Sequence, residues 1–263
     1  MDKQKFIEQQ LQFLQIICEL HENIKHLDES LQEQHPIAVV DNNVFFVFDT
    51  NEQEKNYKFI LDIENPYPVS MPEGVLAAFP LEFYHNKSTA IISSSRIENP
   101  DDYVYIFHEF VHCFVWNKYG LNIRKELAID KQQKKVNNMA WDLNYPFPYE
   151  DDVFINMTTE LLRNSNEIEY DGLIYYHKKM KYYLKETDFE YMIWQEWTEG
   201  FARYVENLIR EELGIEKNTY ILSLPFDRVC FYEIGSKFIE ILFNNDKTLN
   251  NDIEKLFYKM NLK

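Results

Sequence analysis

The sequence has little glycine, proline or cysteine for its length, with 6 Gly, 9 Pro and 3 Cys in 263 residues. This scarcity excludes collagen-like and low-complexity segments, which need glycine or proline at much higher frequency. The apolar run of about 18 residues that a membrane-spanning helix requires is also missing from the sequence. Because 45% of the residues are hydrophobic and 27% are charged, we expect a soluble globular protein with a full core.

Basic residues are outnumbered, since 27 Lys and Arg stand against 44 Asp and Glu and give a net charge of −17. Such a surface repels nucleic-acid phosphates and anionic lipids, so we expect no nucleic acid and no membrane among the partners. Cys18, Cys113 and Cys230 are far apart and form no C-x-x-C pair, which argues against a disulfide framework or a cysteine-based zinc site. The first residues carry acids and glutamines among their apolar positions, unlike a secretory leader, and we expect a cytoplasmic protein.

Hydrophobic periodicity separates a helical start, a strand-rich middle and a helical remainder. Over residues 6–31, apolar positions recur at steps of three and four, which predicts a long amphipathic helix. Between residues 37 and 95, the runs IAVV, VFFVF, YKFILDI, VLAAF and AIISS are rich in β-branched and aromatic residues and predict strands. Further helices are predicted near 101–118, 124–139, 151–166, 168–186, 189–213, 226–245 and 250–260. Strands followed by helices predict an α+β fold.

The chain shows no internal repeat and no linker rich in serine, glycine or proline. We therefore expect a single domain over residues 1–263, with an N-terminal helix in 1–35, a small, mostly antiparallel sheet in 37–97 and a helical lobe in 98–263. The aromatic segment at 141–152 could line a substrate groove or pack a loop onto the core, and we favour packing. The pattern does not predict an oligomeric state.

The segment from His108 to His112 reads H-E-x-x-H. Asn99 is a plausible helix cap, Pro100 suits the first helical position, and two acids follow in the positive first turn. A helix starting here would place His108 and His112 on one face, one turn apart. This spacing allows two neutral imidazoles to chelate one zinc ion.

Glu109 would lie beside such a zinc ion, which lowers the pKa of its bound water toward neutrality. Glu109 could take the proton of that water as general base and return it to a leaving amine. A catalytic zinc site needs a third protein ligand, and positions 115 and 118 hold Val and Lys, which excludes the metzincin pattern. The same chemistry would also serve a hydrolase of non-peptide amides.

Two further segments accompany this motif. WQEWTEGFARYVE at 194–206 lies in a predicted helix whose Gly200 indicates a close approach by another element, and FYEIG begins at Phe231. Together the three segments resemble the gluzincin metallopeptidases, the thermolysin-like and aminopeptidase-N-like superfamily, and E-G-F-A and Y-E-x-G resemble the aminopeptidase-N branch in particular. The resemblance covers about 88–245 loosely, with the segments in the order that the family uses.

The resemblance implies a zincin-like fold that acts on a peptide or protein substrate and binds one Zn²⁺ per chain through His108, His112 and Glu199. It further implies that Glu206 is a supporting acid and that Tyr232 stabilises the oxyanion through its phenol, a role that suits a hydrogen-bond donor aimed at the scissile carbonyl. It also implies that the segment at 88–97 is the edge strand that aligns peptide substrates.

Several features depart from the family or leave alternatives open. Glu196 lies one turn before Glu199 and could support the ligands, be a surface acid or be the ligand itself, and we favour Glu199. His112 and Glu199 stand 87 positions apart, which is more than the family spacing and predicts a helical insertion at about 120–190. The G-x-M-E-N motif that holds a free amino terminus is absent, so endopeptidase and aminopeptidase activity both stay open.

Two residues near the motifs have other interpretations. Cys113 points about 100° away from its neighbour His112 on the helix, so we expect a buried structural thiol. His177 lies among lysines that indicate a solvated face, and we expect it to be structural or exposed.

A protein of another class could carry the same residues. A catalytically silent binding module could keep a peptidase fold and hold a partner protein through the segment at 141–149 or the N-terminal helix. Retention of both histidines, the base, the third ligand and the tyrosine favours an enzyme, because a scaffold would need only the packing.

Overall fold

The structure is a computed structural model that describes residues 2–50, 55–96, 100–164, 167–219 and 222–263. In the described residues five strands precede all α-helices but the first, so the predicted α+β class is confirmed. The strands are β1 (Ile37–Asp41), β2 (Val44–Thr50), β3 (Tyr57–Glu64), β4 (Leu76–Leu81) and β5 (Lys87–Ser93). The α-helices are α1 (Lys3–Ile24), α2 (Pro100–Val115), α3 (Leu121–Glu126), α4 (Ala128–Lys135), α5 (Trp141–Asn144), α6 (Asp152–Arg163), α7 (Tyr170–Tyr183), α8 (Glu186–Glu212), α9 (Val229–Asn245) and α10 (Ile253–Met260). None of the helices in these ranges combines the length and the apolar character needed to cross a bilayer.

All five apolar runs predicted as strands are strands, in the spatial order β3-β2-β1-β5-β4. Only the β1–β5 pair is parallel among the described pairs, and the other three are antiparallel. The β1–β2 hairpin turns through Asn42 and Asn43, whose φ angles are 47° and 62°. A two-residue hairpin turn of type I′ needs positive φ at both positions, and Asn is among the residues that adopt it. The predicted small, mostly antiparallel sheet is therefore confirmed.

The expectation that the segment at 88–97 forms an edge strand is wrong. β5 pairs with β1 on one side and with β4 on the other, which makes it an interior strand. The physical reason is its nearly continuous burial from Ser88 to Ser93, because a strand covered on both faces belongs inside a sheet. β4 is an edge strand of this sheet, and its Pro80 is tolerated there because an edge leaves some N–H groups unpaired. Ile97 lies outside the described residues.

The chain divides into two compact units by the density of its contacts. The first unit comprises Met1–Asn117 and Val205–Lys217 and therefore holds the sheet, α1, α2 and the end of α8. In this unit α2 packs against β4 and β5, and Phe6 of α1 lies against Phe46 with ring centroids 4.6 Å apart. The predicted N-terminal helix ends earlier than residue 31, because the extended backbone of Asp28 starts a separate 3-10 turn that its side chain caps.

The second unit comprises Lys118–Tyr204 and Asn218–Lys263. The helix predicted near 124–139 is wrong as one element, because Leu127 adopts an extended backbone (φ −67°, ψ 137°) that separates α3 from α4. In the aromatic segment Trp141 and Phe147 are buried, so the packing interpretation is confirmed for these two. The Trp141 indole N–H donates to Asp130 Oδ1 at 3.1 Å. The assignment of residues 1–263 to a single domain stays a prediction.

Gly200 of α8 and Gly235 of α9 bring two helix backbones of the second unit into direct contact. A Cβ at Gly200 would lie 2.6 Å from the Gly235 backbone, and one at Gly235 would lie 2.1 Å from the Glu196 carbonyl oxygen. Both distances are shorter than any Cβ tolerates, so only glycine fits at either position. The close approach that Gly200 predicted is confirmed.

We expect Gly235→Ala to lower the free energy of unfolding by roughly 3 kcal/mol, because overpacking that moves backbone costs about 1–3 kcal/mol or more. Gly172→Ala in α7 is the matched control, since its Cβ would meet only the flexible side chain of Ile168 at 3.2 Å. Its stability should stay within about 1 kcal/mol of wild type, because alanine favours helix. Urea unfolding measures both variants, and equal stabilities would contradict the close contact.

His35 makes the stability of the fold dependent on pH. Burial, with a smaller contribution from His21, lowers the pKa of His35 to about 4. Its ordinary pKa is about 6.5, so the unfolded chain takes up a proton first as the pH falls. We expect metal-free protein to lose about 2 kcal/mol of stability through His35 between pH 7 and pH 5.

Urea unfolding at both pH values, with and without His35→Gln, measures this contribution. The variant should lose less stability on acidification than wild type. The remaining loss of stability in the variant should come from His21, because burial lowers the pKa of His21 as well. The same loss in both proteins would show that His35 is not the titrating group.

Candidate metal centre

Helix α2 carries the H-E-x-x-H motif and begins at Pro100, as predicted. The predicted cap Asn99 lies outside the described residues. His108 and Glu109 are buried and His112 is half-buried. The rings of His108 and His112 lie on one face of the helix with centroids 4.9 Å apart. Most of the apolar side chains that surround the motif on α2, including Phe107, are buried as well, which is the environment predicted for this helix.

Glu206 holds His108 by a buried hydrogen bond. The Nδ1 atom of His108 lies 3.0 Å from Oε2 of Glu206, whose side chain is completely buried. A carboxylate oxygen accepts, so Nδ1 donates and Nε2 is the ring atom left to bind a metal. Ligand histidines in metal sites typically carry such a carboxylate on their other nitrogen. The role of supporting acid that the resemblance implies for Glu206 stays a prediction.

Arg210 completes this arrangement on the far side of Glu206. Its Nε donates to Oε1 of Glu206 at 2.9 Å, and its Nη1 donates to the Glu216 carbonyl oxygen at 3.3 Å. The guanidinium also lies over the Tyr105 ring, 5.4 Å from its centroid. Both oxygens of the buried carboxylate are therefore hydrogen-bonded. Arg210 was not among the predicted residues, although its position one turn after Glu206 is the spacing that allows an acid and a base to pair on a helix.

Glu199 joins the two histidines. Among the described residues, His108, His112 and Glu199 each offer one ligand atom, and these atoms lie within 4.8 Å of one another. Two imidazole nitrogens and one carboxylate oxygen are a donor set that suits zinc, with a fourth position left for water or substrate. The residues present therefore fit the metal that the resemblance implies.

Glu196 pairs with His177 instead. Its Oε2 lies 2.7 Å from Nε2 of His177, and both side chains are completely buried. The other ring nitrogen of His177 donates to the Leu173 carbonyl oxygen at 2.9 Å, and the ring stacks on Phe238 with centroids 4.1 Å apart. His177 is therefore structural, one of the two alternatives expected for it, and it lies on the buried face of α7 with Leu173, Tyr176 and Met180 and not on the solvated face that the lysines indicate. Glu196 is likewise no surface acid, and in the described part of the chain it hydrogen-bonds to no member of the metal group.

Tyr232 lies on α9, one turn before Gly235, and is half-buried. The Arg203 guanidinium is 5.7 Å from the centroid of its ring, and Arg203 follows Glu199 by one turn on α8. Contact between Gly200 and Gly235 thus brings the turn that carries Glu199 near the turn that carries Tyr232. The sequence separation of the two segments did not predict that these two turns lie close together.

Arg228, which directly precedes α9, is another neighbour of Glu199 that sequence reasoning missed. Its Nη1 lies 4.0 Å from Oε1 of Glu199. Burial opposes the charge of this guanidinium, but Tyr232 and Glu199 outweigh burial and raise the pKa of Arg228. No local signal could have found Arg228, because its relation to Glu199 depends on the packing of two helices.

Cys113 stays outside the metal group. Its side chain is buried, as predicted, and burial raises the pKa of its thiol well above the usual range, with Glu109 adding to the effect. A protonated thiol is a poor metal ligand.

Comparison of the chain with known protein families, with curated proteins and with solved structures finds no match.

We expect Glu199→Gln to abolish stoichiometric zinc binding and Glu206→Gln to weaken zinc affinity about 10–100-fold, the usual effect of losing an acid that orients a ligand histidine. Elemental analysis and competition with a chelator measure the two effects. Glu212→Gln is the matched control, because Glu212 is exposed on the same helix α8. Full zinc content in Glu199→Gln would show that Glu199 is not a ligand.

Proposed function

We propose that this protein is a zinc-dependent peptidase of the gluzincin type. The observation that carries the proposal is the cluster of His108, His112 and Glu199, in which the carboxylate of Glu206 leaves Nε2 of His108 as the ring atom available for the metal. The resemblance of the three sequence segments to gluzincins supports the same assignment.

Each residue of the cluster has a role that its chemistry supports. Zinc bound here would supply a Lewis acid that polarises a peptide carbonyl and acidifies a water molecule. Glu109 would take the proton of the attacking water and transfer it to the leaving amine. Glu109 is only 7% exposed, so its carboxylate is shielded from bulk water. The phenol of Tyr232 would donate a hydrogen bond to the oxyanion as it forms.

Burial of the polar groups favours this proposal over a silent binding module. Glu206, His108 and Arg210 are each less than 9% exposed, and removing such groups from water costs free energy that apolar side chains would not cost. A fold kept only for docking has no need of these groups. The proposed substrate is a peptide or a protein, and a cytoplasmic location stays a prediction from the sequence.

We expect Glu109→Gln to lower the rate of peptide hydrolysis by about 10²–10⁴-fold, because it removes the general base. Its zinc content should equal that of wild type, since glutamine has nearly the same shape and the ligands are untouched. Cleavage of a fluorogenic peptide library by the zinc-loaded protein provides the rate, and elemental analysis provides the metal content.

Glu212→Gln serves again as control and should cleave at the wild-type rate. Full activity in Glu109→Gln would overturn the mechanism. A zinc-loaded wild type that cleaves no peptide, yet retains a partner protein equally well with and without Glu109→Gln, would favour the binding module.

A further inference from the structure

Arg228 lies beside Glu199 without a hydrogen bond to it. Its side chain is 38% exposed, and its closest charged neighbour is Glu199, at a distance of 4.0 Å that is too long for a hydrogen bond. Within the described ranges no hydrogen bond from its guanidinium is found. A guanidinium carries five N–H donors in a planar fork, so Arg228 retains donors that are free to bind another group.

Two buried arginines, Arg124 and Arg210, use their donors internally. Arg124 donates from Nε to Asp130 at 2.9 Å and from Nη1 to Asp142 at 3.3 Å. It also donates to the Met139 carbonyl oxygen and stacks on the Trp141 ring. Arg210 is occupied in the same way by Glu206 and the Glu216 carbonyl oxygen. Arg228 differs from these two arginines, because its guanidinium is partly exposed beside the Glu199 carboxylate and no packing interaction in the described part of the chain accounts for this position.

The surroundings of Arg228 combine charge with aromatic side chains. Tyr232, Tyr191 and Tyr149 are all neighbours of its guanidinium. The hydroxyls of Tyr149 and Tyr191 lie 3.3 Å apart, so these two side chains engage each other. If Glu199 bound a metal, its negative charge would be directed toward that metal, and the positive charge of Arg228 would be available to a second anion.

We propose that Arg228 binds a carboxylate group of the substrate next to the bond that is cleaved. The proposal rests on the proposed function, since it takes Glu199 as a metal ligand. Guanidinium and carboxylate match as planar, bidentate partners, and a site of this kind favours a carboxylate strongly over an uncharged amide. The group can be the carboxyl terminus of a short peptide or the side chain of an aspartate or glutamate.

Matched peptide pairs test the proposal and separate the two sources. One arm compares fluorogenic peptides that end in a free carboxylate with the same peptides that end in an amide. The other arm compares internal glutamate with glutamine near the cleaved bond. We expect wild type to prefer the carboxylate member of one arm by at least about 10-fold in kcat/KM, chiefly through KM, as a charge-assisted hydrogen bond allows.

Variants of Arg228 show whether this residue causes the preference. Arg228→Gln should bring the ratio within a pair close to one, and Arg228→Lys should keep part of it, because an ammonium retains the charge but not the fork. Zinc content should stay at the wild-type level in both variants. Arg163→Gln, at an exposed position of α6, is the matched control and should keep the full preference.

The outcomes separate this proposal from the proposed function. Cleavage with no preference in either arm, or a preference that survives Arg228→Gln, would overturn the carboxylate site and leave the peptidase assignment intact. If zinc-loaded wild type cleaves no peptide, the peptidase assignment fails, and the affinities of the same pairs decide the site. Equal affinities of wild type for both members would overturn it, and a preference lost in Arg228→Gln would support it.

Discussion

Burial of the Glu206 carboxylate is the constraint on which the candidate site depends. Burying a carboxylate costs free energy unless it is paired and hydrogen-bonded, and here His108 and Arg210 supply one donor each to the two oxygens of Glu206. The hydrogen bond to Glu206 also decides which nitrogen of His108 carries the proton, because the carboxylate needs a donor and Nδ1 is the nitrogen that faces it. Glu206 therefore leaves Nε2 of His108 available to a metal without itself having to contact the metal.

Three of the carboxylates on helix α8 near the motif segments have different partners in the fold. Glu196 pairs with His177, Glu199 lies with the motif histidines and near Arg228, and Glu206 is held by His108 and Arg210. The histidine partners come from other helices, Arg228 directly precedes α9, and Arg210 comes from the next turn of α8. Glu199, whose side chain is 15% exposed, is the one in the metal group, while the two completely buried members are engaged by histidine side chains. Burial and pairing thus distinguish acids that look equivalent in the sequence.

Local patterns predicted much of the fold because they report on local physics. The five apolar runs became strands, and Pro100 begins α2 because its fixed φ and missing N–H suit a first helical position. The expectations that differ from the structure concern contacts between distant parts of the chain, which local patterns do not contain. β5 is interior because it pairs in parallel with β1, more than fifty positions earlier in the chain. His177 is buried although lysines follow it, because one position of a helix can face inward while its neighbours face water.

The sequence by itself determined the secondary-structure class, the helix that places His108 and His112 one turn apart, and the glycine that marks a close helix contact, because periodicity, helix capping and the absence of a side chain are local properties. Only the tertiary structure decided that Glu199 meets the histidines, that Glu196 pairs with His177 and that Arg228 lies beside Glu199. Helical periodicity states which residues share a face, but the residues that this face contacts depend on the packing of elements far apart in the sequence.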